Sequence, residues 1–482
     1  MILKILIAIP LVTSLGLLGF TEAHNYKLIR NISLYSAVFS FILSLPLTLF
    51  FDKLTLKFQF LSEISWIFSS TILIGVDGIS FCFILLVIFI TLLCVLAAWR
   101  RKHGLKEFLI YLFLIESFCL VVFTVLDILV FYMFFESVLM PMFIMIGVWG
   151  STYSGRVKAA YYFFIYTLAG SILFLVAIML IYLETGTTNL VILFNTEFSI
   201  TKQLVLFILS FLGFAVKIPL FPIHIWLPEA HVEAPTEGSV ILASLLLKLG
   251  GYGFLRVSLP MFPCGSKFAA PIVCTFCILG VIYASLTTLA QVDLKKVVAY
   301  SSVAHMNLVV LGIFSFKYEG VAGSLFLMLG HGIISSGLFF LVGVLYDRHH
   351  TRRILFFGGI GQLMPLFSTY FLFFSLANMS FPGTCNFVGE LLTLIGVFRY
   401  SIAFGFFAAS GIILSAAYSI WLFNRIVFGN LNLNFITKYK DLTRHEFFIL
   451  TPLVFLGIFL GIYPNLVLDT VYLSVKVLFI TL

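Results

Sequence analysis

Charged residues are scarce in this sequence, and their scarcity excludes most classes of soluble protein. Only 10% of the 482 residues are charged and 62% are hydrophobic, among them 57 phenylalanines. A soluble domain averages about 25% charged residues and cannot bury this much apolar surface. Apolar stretches of about 20 residues follow one another from end to end, each long enough to cross a bilayer. On that length criterion, the sequence predicts an all-α polytopic membrane protein of about 14 transmembrane helices.

Sequence motifs for nucleotides, flavins, haem and metals are also lacking. The glycine pairs Gly250-Gly251 and Gly358-Gly359 lack the strand–turn–helix setting of a phosphate site. Cys274 and Cys277 have CxxC spacing but no histidines placed to complete a metal site, which indicates small buried hydrophobic residues. The sequence therefore predicts no bound cofactor and no metal, so the driving chemistry has to come from a partner.

Processing signals are absent from the first span. The stretch Met1–Phe20 has no small-residue cleavage site and does not have the Arg-rich, Ser-rich composition of a transit peptide. It is therefore interpreted as a transmembrane helix. A chain this hydrophobic without an import signal is expected to be synthesised beside its membrane.

Basic residues are concentrated in the odd-numbered connections of the predicted helices. The positive-inside rule places this face in the cytoplasm or the mitochondrial matrix and both termini on the opposite side. The net charge of +8 follows from the same rule and from contacts with anionic lipids, so it does not indicate nucleic acid binding. The basic residues of this face are Lys27, Arg30, Arg100, Arg101, Lys102, Lys106, Arg156, Lys158, Lys295, Lys296, Arg348, Arg352, Arg353, Arg425, Lys438, Lys440 and Arg444.

A few charged residues lie inside the apolar runs. Lys217 in FLGFAVKIPLFP and Lys248 in VILASLLLKLGGYGF have no acidic residue close beside them in sequence, and Glu136 lies in VFYMFFESVLMPMF. A charge at the centre of a membrane helix costs about 2.5–3.5 kcal/mol on insertion scales and usually marks an ion or proton path. We therefore expect a protein that moves charge across a membrane, with Glu136 and Lys217 as an ion pair.

Two of the predicted spans are broken by proline beside such a charge. Pro219 follows Lys217 in the seventh span, and Pro382 precedes Glu390 in the twelfth. Proline removes a helical hydrogen bond and frees a carbonyl, which membrane proteins tolerate only next to protein or water. Paired interruptions in two halves of a chain are typical of inverted-repeat transporters. A coincidence between two helices, and a static ion pair at Lys217 that only locks helices together, remain the alternatives.

Histidines and one further carboxylate are secondary candidates for a proton path. Histidine exchanges protons near neutral pH, although a lone helical histidine is as often a packing residue. Glu229, Glu233 and Glu237 are expected nearer the membrane interface, and Asp127 near the short turn that follows the segment of Glu116. The secondary candidates are Glu116, His224, His231, His305 and His331.

Five blocks carry a resemblance to a known family, over nearly all of the stretch from Asp77 to Gly429. They are GFAVKIPLFPIHIWLPEAHVEAPTEGSVILASLLLKLGGYGFLR, FYMFFESVLMPMFIMIGVWG, DLKKVVAYSSVAHMNLVVLG, HGIISSGLFFLVGVLYDRHHTR and NMSFPGTCNFVGE. The chain resembles the chain 4 family of NADH:ubiquinone oxidoreductase, antiporter-like membrane subunits of respiratory complex I. Related chains and sodium/proton antiporter subunits share the broken helices but lack the HVEAP…LKLGGYG block.

The resemblance implies a fourteen-helix fold with two inverted five-helix repeats. The implied regions are residues 1–105 for helices 1–3, 106–258 for the first repeat of helices 4–8, 270–430 for the second repeat of helices 9–13, and 447–475 for helix 14. Glu136 matches the family's helix-five glutamate, and Lys217 the helix-seven lysine paired with it. Lys248 matches the central helix-eight lysine, and Glu390 the helix-twelve glutamate of the exit half-channel. His305 and His331 match polar positions that connect them.

The implied function is proton translocation within H⁺-translocating NADH:ubiquinone reductase. Flavin, iron–sulfur clusters and ubiquinone are implied in partner subunits, and no cofactor in this chain. The implied partners are other membrane-arm subunits of complex I, including neighbouring antiporter-like subunits, and membrane lipids such as cardiolipin. The implied location is the mitochondrial inner membrane, favoured over a bacterial plasma membrane, with both termini in the intermembrane space. A cation/proton antiporter subunit and a passive scaffold are the alternatives.

One residue departs from the family pattern. Glu237 stands where the family often has a small residue. Thr236 before it is a plausible helix N-cap, so the carboxylate is expected at a helix start, where it interacts favourably with the helix dipole.

Overall fold

A computed structural model describes residues 2–20, 22–65, 71–101, 104–151, 153–431 and 439–481, and Lys102 and Lys438 of the predicted basic face lie outside them. Twelve helices among the described residues are long and apolar enough to cross a membrane. The shorter apolar helix Ile2–Leu18 and the interrupted pair Pro365–Asn378 and Cys385–Tyr400 supply the two remaining predicted spans. The prediction of an all-α polytopic membrane protein is confirmed.

The chain folds as two compact units. Unit 1 comprises Met1–Lys217, Lys248–Phe268 and Asp469–Leu482, and unit 2 comprises Ile218–Leu247 and Ala269–Leu468. The predicted sequence repeats are a different division of the chain and stay a prediction.

The first half of the chain, up to Lys217, contains nine helices and two strands among the described residues. They are α1 (Ile2–Leu18), α2 (Glu22–Phe50), β1 (Gln59–Ser65), β2 (Thr71–Val76), α3 (Gly78–Ala97), α4 (Leu105–Thr124), α5 (Ile128–Ser137), α6 (Leu139–Trp149), α7 (Tyr153–Thr185), α8 (Leu190–Leu193) and α9 (Ile200–Lys217). Within unit 1, α4 packs on α1 and α3, and α9 packs on α7.

The helices from Trp226 onward are mostly in unit 2. They are α10 (Trp226–Glu233), α11 (Thr236–Ile241), α12 (Leu247–Gly253), α13 (Leu259–Met261), α14 (Pro263–Ala290), α15 (Leu294–Ile313), α16 (Tyr318–His349), α17 (Ile360–Leu363), α18 (Pro365–Asn378), α19 (Cys385–Tyr400), α20 (Ile402–Val427), α21 (Arg444–Ile462) and α22 (Asn465–Thr481). Helical turns continue without a break from α11 to α13, through two π-helical segments, Leu242–Leu246 and Phe254–Ser258.

Both predicted helix breaks are present. Helix α9 ends at Lys217, directly before the stretch that contains Pro219, and helical structure resumes at α10. Helix α18 ends before Pro382, and α19 begins after it. Proline cannot donate the backbone hydrogen bond that would continue either helix.

One local feature was not predicted, and another differs from the sequence prediction. An antiparallel hairpin of β1 and β2 precedes α3, with Ser62 opposite Ile74 and Ser65 opposite Thr71. The segment 447–475, predicted as one helix, is two helices, because α21 ends at Ile462 and Pro464 precedes α22.

Helix α16 is the centre of unit 2. It is buried continuously from Gly320 to Leu345 and packs on α15, α18, α19 and α21. Its approach to α19 is especially close, because Gly389 faces the backbone of Leu327 and a Cβ there would lie 2.7 Å from Leu327 Cα. Small residues allow such close approach between membrane helices, where lipid-exposed apolar surface supplies little driving force.

We expect Gly389→Ala to separate α16 from α19 and to destabilise the protein by about 1–3 kcal/mol, the usual range for overpacking. The matched control is Gly16→Ala in α1, where an added Cβ meets nothing within 4 Å. Thermal unfolding in detergent checks the prediction. Equal transition temperatures for the two variants would contradict the close α16–α19 contact.

Candidate functional site

Glu136 and Lys217 form a buried ion pair in unit 1. Glu136 lies in the last turn of α5, and Lys217 is the last residue of α9. Lys217 Nζ lies 3.7 Å from Glu136 Oε1, and the two side chains are only 5% and 16% exposed. The predicted pair is therefore confirmed, and it compensates two charges that would each be strongly unfavourable alone.

Neutral groups hold Lys217 more closely than its acidic partner does. Its Nζ donates a 2.9 Å hydrogen bond to the carbonyl oxygen of Phe135 and lies 3.9 Å from the centroid of that residue's ring. In the part of the chain that the structure describes, neither carboxylate oxygen of Glu136 forms a hydrogen bond. This ion pair can therefore open without losing a charge-assisted hydrogen bond.

Lys248 is fully buried in the helical run from α11 to α13. It is the second residue of α12, and π-helical segments end directly before α12 and begin directly after it. Its side chain is 0% exposed, as the sequence predicts for this position. π-Helical turns occur often at functional sites.

A second buried ion pair in unit 1 was not predicted. Arg256 donates a 2.8 Å hydrogen bond to Asp77 Oδ1 and a 3.0 Å hydrogen bond to the hydroxyl of Tyr252. The Tyr252 hydroxyl donates to the carbonyl oxygen of Phe123 over 3.2 Å. Tyr252 and Arg256 lie one and two turns after Lys248, so this i, i+4, i+8 spacing was the signal that could have identified the cluster.

The N-terminal end of α3 completes this cluster. Asp77 is the N-cap of α3, and its carboxylate accepts a 3.0 Å hydrogen bond from the backbone N–H of Ser80. Asp77 therefore interacts with a helix N-terminus and with Arg256 at once.

Unit 2 contains a buried acid–base pair of its own. His305 in α15 lies with Nδ1 3.0 Å from Glu390 Oε1 in α19, and both side chains are 4% exposed. The ring of His331 in α16 has its centroid 5.7 Å from that of His305. Three helices thus bring His305, His331 and Glu390 together, as the resemblance to the family implied for these polar positions.

Several polar atoms beside this cluster have no protein partner. Among the described residues, no hydrogen bond reaches His305 Nε2, Asn307 Oδ1, Ser335 Oγ or either side-chain polar atom of Asn386. Ser335 and Asn386 lie one turn from His331 and Glu390, and Asn386 faces Gly330 of α16. Asn307 lies two residues from His305, on another side of α15, and faces Gly280 of α14. Buried polar groups are almost always hydrogen-bonded, to ordered water where protein supplies nothing.

The other predicted candidates are dispersed. Glu116 is 1% exposed, and Ser40 Oγ lies 3.5 Å from its Oε1. His231 is 0% exposed and its ring stacks on Phe339 with centroids 4.7 Å apart. His224 is half-buried in the stretch between α9 and α10, where burial lowers its pKa below the ordinary histidine value against an opposing hydrogen bond with the Pro222 backbone.

Two acidic residues of α10 form ion pairs with basic residues that the sequence analysis assigned to the connections between helices. Glu229 Oε1 lies 3.1 Å from Lys296 Nζ, and the glutamate is 40% exposed. Glu233 lies 3.7 Å from Arg352, and both side chains are 12% exposed. Glu229 is therefore the more exposed of the two glutamates.

The predicted N-cap at Thr236 is wrong. Pro235 is the N-cap residue of α11, and Thr236 already lies in the first turn, with its hydroxyl donating 3.0 Å to Glu237 Oε2. Pro235 has an extended backbone at this point, so the helix begins at Thr236, one residue earlier than it would with a threonine cap. Glu237 does lie in the first turn, as predicted, and is buried, 4% exposed.

Lys295 is a buried residue that sequence reasoning assigned to a basic connection. It is 2% exposed at the start of α15. Its neighbour Lys296 is partly exposed, and no local pattern distinguishes two adjacent lysines at a helix start. Only the packing of α15 against the loop before α11 separates them.

Comparison with known proteins places this arrangement among respiratory membrane proteins. The profile of the family described as "NADH:quinone oxidoreductase/Mrp antiporter, TM" matches residues 126–415, more than half of the chain. The chain is 51% identical over 474 residues to NADH-ubiquinone oxidoreductase chain 4 of Marchantia polymorpha, covering 98% of this chain and 95% of the relative.

Bacterial proteins are similar along the whole length as well. NADH-quinone oxidoreductase subunit M of Rhodobacter capsulatus is 44% identical over 490 residues, covering 98% of this chain and 95% of the relative. A chain in the structure of respiratory complex I from Thermus thermophilus superimposes with a TM-score of 0.88 at 30% identity, covering 99% of this chain and 100% of that chain.

We expect removal of one charge from the Glu136–Lys217 pair to be strongly destabilising. Glu136→Gln and Lys217→Met should each lower the free energy of unfolding by about 3–5 kcal/mol, and the double variant should recover most of that loss, because only the single variants leave a buried charge uncompensated.

A second ion pair serves as a control for this double-mutant cycle. Lys202 and Glu184 lie closer, at 2.9 Å, but are 57% and 36% exposed, so the same cycle there should give a coupling of about 0–1 kcal/mol. Chemical unfolding in detergent measures both couplings. Similar values for the two pairs would show that burial of the Glu136–Lys217 pair has no energetic consequence.

Proposed function

This chain belongs to the NADH:quinone oxidoreductase/Mrp antiporter membrane family, and within it to the chain 4 members, and we propose that it is a proton-translocating core membrane subunit of respiratory complex I. Its energy comes from electron transfer from NADH to ubiquinone in partner subunits that carry the flavin and the iron–sulfur clusters. The observation that carries the proposal is a buried acid–base pair in each unit, Glu136–Lys217 in unit 1 and His305–Glu390 in unit 2.

The energy of such a pair is of the size that proton transport needs. Two unit charges about 4 Å apart attract by about 4 kcal/mol at an effective dielectric of 20. Moving one charge against a membrane potential costs about 2.3 kcal/mol per 100 mV. Opening the loose Glu136–Lys217 contact therefore changes the electrostatic energy of a nearby proton by an amount comparable to the work of transport.

The end of α9 supports a proton-carrying role for Lys217. The last carbonyl groups of a helix have no partner within the helix, and they carry partial negative charge that favours a cation. Lys217 is the final residue of α9. A lysine at this position can exchange protons with water that reaches the open helix end.

The unpaired polar atoms near His305 support a hydrated path in unit 2. They lie on α15, α16 and α19, the same three helices that carry His305, His331 and Glu390. Water bridging these atoms gives protons a continuous set of hydrogen bonds, and a histidine beside a carboxylate can pass a proton in either direction. By the resemblance to the family, we assign Glu390 in unit 2 to the exit half-channel and Lys248 in unit 1 to a proton-carrying role.

The proposed setting is the mitochondrial inner membrane. The basic connections face the matrix by the positive-inside rule, with both termini in the intermembrane space. Other membrane-arm subunits are the proposed protein partners, including neighbouring antiporter-like subunits. Anionic lipids such as cardiolipin are the proposed lipid partners of the basic connections.

A cation/proton antiporter subunit is the second candidate, because the matching family profile covers both kinds of protein. Purification from native membranes separates the two. A complex that oxidises NADH and reduces ubiquinone supports the pump, and sodium or potassium transport driven by an existing proton gradient supports the antiporter. A passive scaffold is disfavoured, because each buried charge costs free energy on membrane insertion and a scaffold does not need these charges.

We predict that Lys217→Met abolishes most coupled proton transport in an assembled complex. The variant removes the only titratable group at the end of α9, and loss of a proton-transfer group slows the step by roughly 10²-fold. Quenching of a pH-sensitive dye in sealed vesicles, measured with NADH oxidation, gives the result. Lys202→Met, at an exposed position of the same helix, should pump like the parent protein, and equal pumping by both variants would refute the role.

We predict that Glu390→Gln uncouples unit 2 while preserving its fold. Glutamine is nearly isosteric and can still accept a hydrogen bond from His305, but it carries no proton at physiological pH. Proton transport per NADH oxidised should fall sharply in vesicles. Glu319→Gln, at a more exposed glutamate paired with Arg399, is the control, and an unchanged proton yield in Glu390→Gln would rule out the exit role.

A further inference from the structure

Lys295 is a buried lysine that the mechanism above does not use. It occupies the first turn of α15 and is 2% exposed. Backbone hydrogen bonds fix this turn, from Leu294 N–H to the carbonyl oxygen of Arg352 at 3.0 Å and from Ile354 N–H to that of Val292 at 2.9 Å. Its position is therefore set by the fold and does not depend on a flexible loop.

Neutral oxygens are the direct partners of Lys295. Its Nζ donates 2.6 Å to the carbonyl oxygen of Ala234 and lies 3.4 Å from Ser239 Oγ. Among the described residues, no carboxylate oxygen lies within 4.0 Å of this ammonium group. A buried cation without an adjacent anion is unfavourable, and such a group exchanges its proton more easily than a paired one.

Charged groups face Lys295 at longer range from each element packed around it. They are Glu233 at the end of α10, Glu237 in α11, Asp347 in α16 and Arg352 in the segment after α16. Arg352 is itself paired with Glu233. Three carboxylates therefore attract a proton toward this end of unit 2, and none of them holds the lysine in a fixed ion pair.

Polar groups continue from Lys295 along one side of α15. Ser302 and His305 follow it at i+7 and i+10, positions that share a helix face. Ten residues of α-helix rise by about 15 Å, so this face leads from the start of α15 to the buried His305–Glu390 pair. Lys295 is one of the basic residues that the sequence analysis assigned to the connections between helices. On this face of α15 it lies at one end, and the His305–Glu390 pair, with the proposed exit residue, lies at the other.

We propose that Lys295 is a proton-loading residue, which takes protons from the basic face and passes them along the Ser302 side of α15 to His305. This rests on the proposed function. In each cycle one N–H bond of Lys295 breaks as the proton moves to the next acceptor, and one forms as a proton arrives from the aqueous phase. No atom is oxidised or reduced. The alternative is a brace, in which a permanently charged Lys295 holds Ala234 and Ser239 in place.

Arginine and histidine at position 295 separate a proton carrier from a brace. Arginine keeps the charge and the donors but does not deprotonate in a protein. Histidine is shorter and a poorer brace, but it releases and binds protons near neutral pH. A loading residue is therefore replaced better by histidine, and a brace is replaced better by arginine.

The test measures proton transport per NADH oxidised in vesicles that contain the whole complex. We expect Lys295→Arg to assemble and to lose roughly 10²-fold in coupled transport. Lys295→His should recover part of it, with a pH profile shifted to lower pH, because imidazole is a weaker base than a primary amine. Parent-like transport by Lys295→Arg, or an assembled Lys295→His complex without recovery, would overturn the proposal.

Controls separate this proposal from folding defects and from the proposed function. Lys296→Arg and Lys296→His, at the adjacent partly exposed lysine, should transport like the parent protein. If neither Lys295 variant assembles, the test is a comparison of Ser302→Ala with the matched variant Ser301→Ala. A several-fold loss of proton transport in Ser302→Ala alone supports the route, and equal proton transport by the two variants overturns it. If Lys217→Met blocks proton transport and the Lys295 variants do not, only the loading role of Lys295 is wrong. If Lys217→Met and the Lys295 variants all transport protons like the parent protein, the proposed function itself is wrong.

Discussion

An ionisable side chain inside a membrane protein has to find its partners within the protein, and this requirement organises both units. Lys217 ends α9 where open carbonyl groups and the ring of Phe135 receive its ammonium, with Glu136 at 3.7 Å. Arg256 is fixed by Asp77 at the start of α3 and by Tyr252. These two solutions differ in an important respect. The Arg256 pair is tightly hydrogen-bonded, as suits a static contact, whereas the Glu136–Lys217 pair is loose, as suits a contact that opens.

Unit 2 meets the same requirement with histidine and water. The close approach of α16 and α19, made by glycine at 389, brings Glu390 to the helix that carries His331 and within reach of His305. A histidine–carboxylate pair has a proton that can be shared, so it needs no permanent opposite charges. The neighbouring polar atoms without protein partners mean that this part of the core is polar enough to hold water, which a purely apolar packing of the three helices would exclude.

Much of this could be predicted from the sequence because the relevant signals are local. Twenty-residue apolar stretches predict the spans, prolines 219 and 382 predict the breaks, and isolated charges in apolar runs identify Lys217, Lys248 and Glu390. Other features depend on tertiary packing and leave no local trace. The π-helical turns around Lys248, the burial of Lys295 beside a partly exposed Lys296, and the capping of α11 by Pro235 instead of Thr236 are set by how distant segments pack. The sequence could therefore predict which charges are buried within apolar runs, but not which residues of the connections fold inward.

The central claim is that protons pass through unit 2 along water held by unpaired polar side chains. An experimental map of the assembled complex, at a resolution that shows ordered water, tests it most directly. The account predicts water within hydrogen-bonding distance of Ser335 and Asn386, forming a connected chain that includes His305 and Glu390. A dry cluster in which protein atoms satisfy these side chains, with no water between His305 and either membrane face, would contradict it.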